Sequence, residues 1–194
     1  MLEEESKIKW CQFQSGNNEA YSWIYETYIQ ILYSYGIRFT SDFELVKDCI
    51  QEVFTVIYKN RSRLKPPDNV KVYLMVALKN SLIRNLYKQQ KLHNLDSSDI
   101  MRFTLEPTVE EQFIHNENDF CQQQKIQKIL SVLTPRQQEI IYYRFIQELS
   151  FEEICSLMDL NYQSAQNLIQ RSLKKIRDNH IDPNVYILLF AALI

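Results

Sequence analysis

Between Lys59 and Lys91 the chain carries nine cations: Lys59, Arg61, Arg63, Lys65, Lys71, Lys79, Arg84, Lys88 and Lys91. Only Asp68 opposes them. Cations at this density neutralise phosphates and release condensed counterions. Tyr58, Tyr73 and Tyr87 lie among them with Asn69, Asn80 and Asn85, and aromatic faces accept unstacked bases. A second stretch, NYQSAQNLIQRSLKKIR from Asn161 to Arg177, has no acid until Asp178. As a helix it turns outward Gln163, Ser164, Gln166, Asn167, Gln170, Arg171, Lys174 and Lys175. Amides can pair bidentately with adenine, while hydroxyls and cations can hold phosphate. Both stretches suit nucleic acid; taken singly, the first also reads as a solvated helix face and the second as half of a plain helical hairpin.

Covalent chemistry has little support. Neither paired carboxylates at a recognisable spacing, a Gly-rich phosphate loop, nor a nucleophile motif is present. Cys11, Cys49, Cys121 and Cys155 stand far apart, and the three histidines complete no zinc pattern. The chain is therefore expected to be no enzyme and to use no cofactor or metal. Its thiols are expected to be reduced and structural, as in a cytosolic protein. The acidic start MLEEESKIKW lacks the apolar core of a secretion signal.

The elements that must position these residues read as helices. Glycine occurs 2 times and proline 5 times in 194 residues, and apolar residues recur at helical spacing, so an all-α fold is expected. A first helix is predicted over Asn17 to Tyr35, with Ala20, Ile24, Tyr28, Ile31 and Tyr35 inward and Gly36 as its stop. Ser41 and Glu44 form the pattern of a capping box. They open a helix to about Tyr58 with Phe43, Val46, Ile50, Val53, Phe54 and Ile57 inward. After Pro66–Pro67, Asp68 or Asn69 can cap a third helix to about Lys91, with Val72, Val76, Leu82, Ile83 and Leu86 as its stripe. Residues 1–91 make one helical domain.

Residues 92–119 carry seven acids against Arg102 and read as a linker, with helix resuming near Thr108. A second domain is predicted over 120–180. Thr134–Pro135 is an N-cap followed by proline at the first helical position. Ser150 with Glu153 is another capping box, and a turn at Asp159–Asn161 leads into the Asn161–Arg177 helix. Residues 150–177 thus read as helix-turn-helix, whose second helix lies in the major groove. Cys155 is expected as the small residue at the crossing, Leu160 as the turn apolar, and Ala165, Ile169, Leu173 and Ile176 as the buried stripe. Asp159 stands where a turn glycine is common. The tail 181–194 ends in ten apolar residues from Val185, which read either as a packed terminal element or as a handle for a partner or membrane surface.

Those residues carry a resemblance. LTPRQQEIIYYRFIQELSFEEICSLMDLNYQSAQNLIQRSLKKIR is similar to the second DNA-binding region of bacterial sigma factors of the sigma-seventy superfamily, above all the two-domain extracytoplasmic-function group. DCIQEVF, Asp48 to Phe54, resembles that family's Asp-x-x-Gln-Glu-hydrophobic-Phe helix, and YLMVALKNSLIRNLYKQQK its promoter-melting helix. Order and spacing agree over about residues 17–178. The resemblance implies a subunit that directs core RNA polymerase to promoter DNA, restrained by an anti-sigma factor. Asp48, Gln51, Glu52 and Phe54 would dock on the polymerase clamp. Arg61, Arg63, Lys65, Asn69, Lys71, Tyr73, Lys79, Asn80, Arg84 and Lys88 would read the minus-ten element. The outward residues of the last helix would contact the minus-thirty-five element, and the acidic connector would thread the polymerase's basic cleft.

Where the family often has Val-Lys-Ser-Arg, this chain has Ala165-Gln166-Asn167-Leu168. Two common cations are absent, so a lighter electrostatic grip on upstream DNA is expected. Two rivals remain at this level: a sigma-shaped mimic that titrates an anti-sigma factor, and a helix-turn-helix regulator without polymerase docking.

Overall fold

The computed structural model describes residues 2–93, 102–105 and 129–179. Every regular element among them is helical, and the chain divides into two units, Met1–Arg102 and Phe103–Ile194. The expectations for Thr108, Cys121 and the apolar tail lie outside the described residues.

The first unit opens with a helix that the charge-rich start concealed: α1, Leu2–Gln14. Glu3, Glu4 and Glu5 lie in its first turn, where carboxylates complement the helix dipole. Its buried residues are Ser6, Trp10 and Phe13, spaced by four and three. Ser6 Oγ donates to Leu2 O at 2.7 Å and lies 2.6 Å from Tyr28 Oη. Its single proton is committed to Leu2, so the Tyr28 hydroxyl donates to it. Burial pushes the Tyr28 hydroxyl above its ordinary pKa.

Helix α2 spans Asn18–Gly36, capped by Asn17 Oδ1, which accepts from Ala20 N at 3.0 Å. It buries Ala20, Ile24, Tyr28, Leu32 and Tyr35; Leu32 takes the place expected of Ile31. Gly36 is not a stop but the last helical residue. A Cβ there would meet Val46 Cγ1 at 2.5 Å, so the glycine is needed for close approach to the next helix.

Helix α3, Phe43–Asn60, starts one residue later than a Ser41 cap requires. Asp42 is the N-cap, its carboxylate accepting from Leu45 N at 3.0 Å. Glu44 is thereby freed from a capping box and pairs with Lys47 at 2.8 Å. Val46, Cys49, Ile50, Val53, Phe54 and Ile57 are its buried face. Helix α4, Val70–His93, is capped by Asn69, whose Oδ1 accepts from Val72 N at 3.1 Å. Its core side is Val70, Val72, Leu74, Met75, Leu78 and Leu82; Val76, Ile83 and Leu86 are only half-buried.

In the second unit Phe103, expected in the linker, is 3% exposed and packs with its ring tilted 5.4 Å from that of Tyr142. Leu105 N donates to Gln138 Oε1 at 3.1 Å. Thr134 and Gln137 form a full capping box with Pro135 at the first position of α5, Pro135–Ile141. Its end widens into a π-helical turn, Tyr142–Ile146. Ser150 and Glu153 form the second box and open α6, Phe151–Met158. Asp159 then takes a left-handed backbone, φ 52° and ψ 54°, and Asn161 Oδ1 accepts from Ser164 N at 2.8 Å at the start of α7, Tyr162–Asn179. Ile154, Leu157, Met158, Ala165, Ile169 and Ile176 are buried and Leu173 is half-buried. Cys155 is half-buried beside that core rather than at its centre, and its carbonyl accepts Leu160 N at 3.1 Å.

Candidate nucleic-acid and partner interfaces

On α3, Asp48, Gln51 and Glu52 are exposed, as a docking face requires. Phe54 is not part of that face. It is 2% exposed, with its ring 4.8 Å from Tyr25 and 6.2 Å from Tyr21. Four residues after Ile50 and one after Val53, it falls on the helix side already committed to the core. The exposed apolar residue here is Val56, 50% exposed and one turn beyond Glu52. It escaped the sequence reading because one apolar side chain among polar neighbours carries no periodic signal.

Glu52 is tied across to α4. Ser81 Oγ donates to it at 2.6 Å, Arg84 Nη2 at 2.7 Å and Asn85 Nδ2 at 3.4 Å. The Ser81 hydrogen bond, with the Arg84 guanidinium beside it, holds the Glu52 carboxyl below its ordinary pKa against a smaller effect of desolvation. Beneath this cluster Asn85 Nδ2 reaches Cys49 Sγ at 3.5 Å, and burial pushes that thiol upward. Cys11, Cys49 and Cys155 are free thiols. Two side chains assigned to separate interfaces, Glu52 and Arg84, thus share an ion pair. Residue spacing within either helix cannot reveal a pair between them.

The cation band does not make one stripe. Arg61 lies over the Tyr58 ring at 4.8 Å and donates from Nη1 to Tyr58 O at 3.2 Å. Arg63, Lys65, Asn80 and Lys88 are exposed, and Lys71 is half-buried. Asn69 is the cap of α4. Tyr73 is half-buried with its ring 5.3 Å from Trp10, edge to face. Lys79 lies 5.8 Å from the centre of the Phe39 ring. From Lys79 to Arg84 is about 140° around the helix, and to Lys88 about 180°. These cations therefore flank the exposed side of α4 on opposite edges, with Asn80 and the half-exposed Tyr87 between them.

On α7 none of the expected outward residues is buried. Gln163, Gln170, Arg171 and Lys174 are exposed, and Ser164, Gln166, Asn167 and Lys175 half-buried. Gln163 Nε2 donates to Asn167 Oδ1 at 3.3 Å, and Arg171 Nε to Asn167 O at 3.3 Å. Ser172 is buried, its hydroxyl turned back on Leu168 O at 2.7 Å. An open groove of about 610 Å³ is lined by Gln170, Leu173, Lys174 and Arg177. Arg177 was missing from the expected set, although its spacing of three from Lys174 and seven from Gln170 places it on their face.

The family description for sigma-70 region 2 matches residues 24–92, and that for sigma-70 region 4 matches residues 123–176. The chain belongs to the sigma-70 family. Both halves of this sigma factor are thus matched in order, and together the matches span more than half of its length. Helix α1 lies ahead of the first match. The sigma factor is similar in fold to CnrH, solved in complex with the cytosolic domain of CnrY: 15% identity, TM-score 0.55, covering 89% of this chain and 95% of that one. It is also similar to the sigma factor RpoE of Bartonella quintana, solved with the anti-sigma factor NepR: 16% identity, TM-score 0.55, covering 79% of this chain and 92% of that one. No curated protein matches the sigma factor by sequence.

Proposed function

We propose that this sigma factor is of the extracytoplasmic-function group and works in the cytoplasm. In this reading it docks core RNA polymerase through Asp48, Gln51, Glu52 and Val56 of α3. The loop from Arg61 to Asn69 and the exposed side of α4, Lys71 included, read the minus-ten element, and α7 contacts the minus-thirty-five element. The observation that carries this is the juxtaposition, within one matched region, of an acid-and-amide face on α3 with a basic, aromatic-bearing side of α4. Carboxylates and amides suit a basic helical partner. Cations beside Tyr73 and Tyr87 suit parted strands, because flipping one base out of the stack costs a few kcal/mol that stacking and polar contacts offset.

No nucleotide hydrolysis enters this scheme, and the protein is proposed to be no enzyme. Residues 94–101 and 106–119 serve as the acidic connector, since α4 runs on to His93. Among the described residues no helix is long and apolar enough to cross a membrane. An anti-sigma factor is the natural restraint, since RpoE is bound to one in its solved complex.

Run-off transcription with core polymerase and a library of promoters tests the reading. Transcripts from a subset of promoters, lost on charge reversal at Asp48 (Asp48→Lys) combined with Gln51→Lys, are expected. Polymerase binding without any open complex would replace it with the sigma-shaped mimic, which the amide-rich α7 favours. DNA binding without polymerase binding would leave a plain helix-turn-helix regulator.

A further inference from the structure

Helix α1 precedes the matched region, yet it reaches two parts of the surface assigned above to the minus-ten element. Gln14, at its last turn, donates from Nε2 to Arg61 O at 3.4 Å and to Leu64 O in a shorter contact. These carbonyls belong to the loop that carries Arg61, Arg63 and Lys65. That loop is otherwise closed by its own backbone, with Arg63 N and Leu64 N both donating to Asn60 O at 2.8 and 3.2 Å. One turn earlier in α1, Trp10 is fully buried with its ring 5.3 Å from Tyr73. Phe13, 1% exposed, lies 5.3 Å from Tyr21 and 6.3 Å from Tyr58, the ring that Arg61 covers. Three consecutive inward positions of α1 therefore set, in turn, an aromatic of α4, the root of the basic loop, and the loop's backbone.

We infer that α1 is a brace for promoter reading and that Gln14 is a positioning residue: its side-chain amide fixes the loop from Arg61 to Leu64 in the form that meets DNA. The physical case rests on charge repulsion as well as backbone entropy. A loop bearing three cations on long side chains repels itself, and holding one backbone form against that repulsion has a cost. A primary amide has two N–H donors, so one side chain can serve two carbonyls at once. The inference rests on the proposed minus-ten role of the loop, and the test separates the two.

The variant is Gln14→Met, which keeps length and apolar packing but has no donor. Gln14→Lys restores a donor of similar reach, and Ser15→Lys, made together with Gln14→Met, adds the same charge one position away, where no loop carbonyl is bonded. The full chain is examined in two ways. Hydrogen exchange of the Arg63 and Leu64 amides reads the loop without DNA. Opening of a template selected by run-off from duplexes randomised over both promoter elements reads function, with affinity for core polymerase measured alongside. Gln14→Met is expected to speed exchange at both amides and reduce opening by roughly five- to tenfold, the factor of one hydrogen bond or slightly more. Polymerase affinity stays within about twofold, a change too small for a lost hydrogen bond. Gln14→Lys is expected to restore both readouts, and Gln14→Met/Ser15→Lys neither.

Unchanged exchange in Gln14→Met overturns the brace outright. Faster exchange with normal opening, while the double variant Arg63→Ala/Lys65→Ala opens poorly, overturns the positioning role and leaves the loop's minus-ten reading standing. Normal opening by Arg63→Ala/Lys65→Ala itself removes that reading, and the positioning role with it.

Discussion

Glu52 and Arg84 give the sharpest quantitative test of the first unit, because their pair joins two helices and one partner titrates. The pair is exposed, with side chains 61% and 43% accessible for Arg84 and Glu52, so its coupling should be that of a surface pair, about 0.5 kcal/mol. The Ser81 bond adds more, since Ser81 is 2% exposed and its hydroxyl loses a charged acceptor. Glu52→Gln, which keeps the shape and removes the charge, is therefore expected to lower stability by about 1 kcal/mol in total. For a unit of this size that corresponds to a fall in Tm of about 4–8 °C.

Tryptophan fluorescence isolates the right unit, because both tryptophans, Trp10 and Trp23, lie in it. A cycle of Glu52→Gln, Arg84→Met and the double variant by urea unfolding should return a coupling of about 0.5 kcal/mol at pH 7. The folded Glu52 pKa is lowered, so its contribution is full above the ordinary carboxylate value of about 4.3 and is lost as pH falls through the folded value. The coupling should vanish in that acid window while the unit is still folded. Additive single variants at pH 7, or a coupling that persists once the carboxyl is protonated, would refute the assignment of these contacts.

Gly36→Ala should destabilise the first unit by about 1 kcal/mol, overpacking against Val46 outweighing the gain in helix propensity. In a Val46→Ala background, urea unfolding should show the same change stabilising. Asp159→Gly should stabilise the second unit by about 1 kcal/mol, because the left-handed backbone no longer carries a Cβ; thermal melts followed by circular dichroism would show it. Phe54→Ala should cost about 3–5 kcal/mol of folding stability in the same urea assay, since the ring is core rather than docking surface. Lys174→Gln should flatten the dependence of log K on log salt by about 0.9 in fluorescence anisotropy with selected promoter duplex, whereas Ser156→Gln on α6 should leave the slope unchanged.

Local rules carried most of the fold. The N-cap at Thr134, the box at Ser150, the cap at Asn69 and the turn at Asp159 all depend on residues within a few positions of each other, and the sequence exposes them; the cap at Asn17, read as the first helical residue, was missed by one position. At Ser41 two acceptors compete within two residues, and the carboxylate of Asp42 won the cap. Helix α1 was hidden because only three of its residues are buried, too few to rise above its charges. The site was legible to the level of helix faces and no further. Phe54 was assigned to the interface because the family motif it resembles includes that position, although its helical spacing already places it on the inward stripe. The Glu52–Arg84 pair, the loop grip of Gln14 and the splitting of Lys79 from Lys88 need the distances between helices, which periodicity within one helix does not contain.

That splitting has a geometric corollary. Lys79 and Lys88 stand about 13.5 Å apart along the axis as well as on opposite flanks. A rigid rod of paired strands laid lengthwise on α4 satisfies one flank and abandons the other. A polyanion that engages both must pass obliquely over Asn80 and Tyr87, or come as two diverging threads, one to each side. On the proposed reading, the helix then behaves as the prow of a splitting wedge, its two edges sorting one thread from the other.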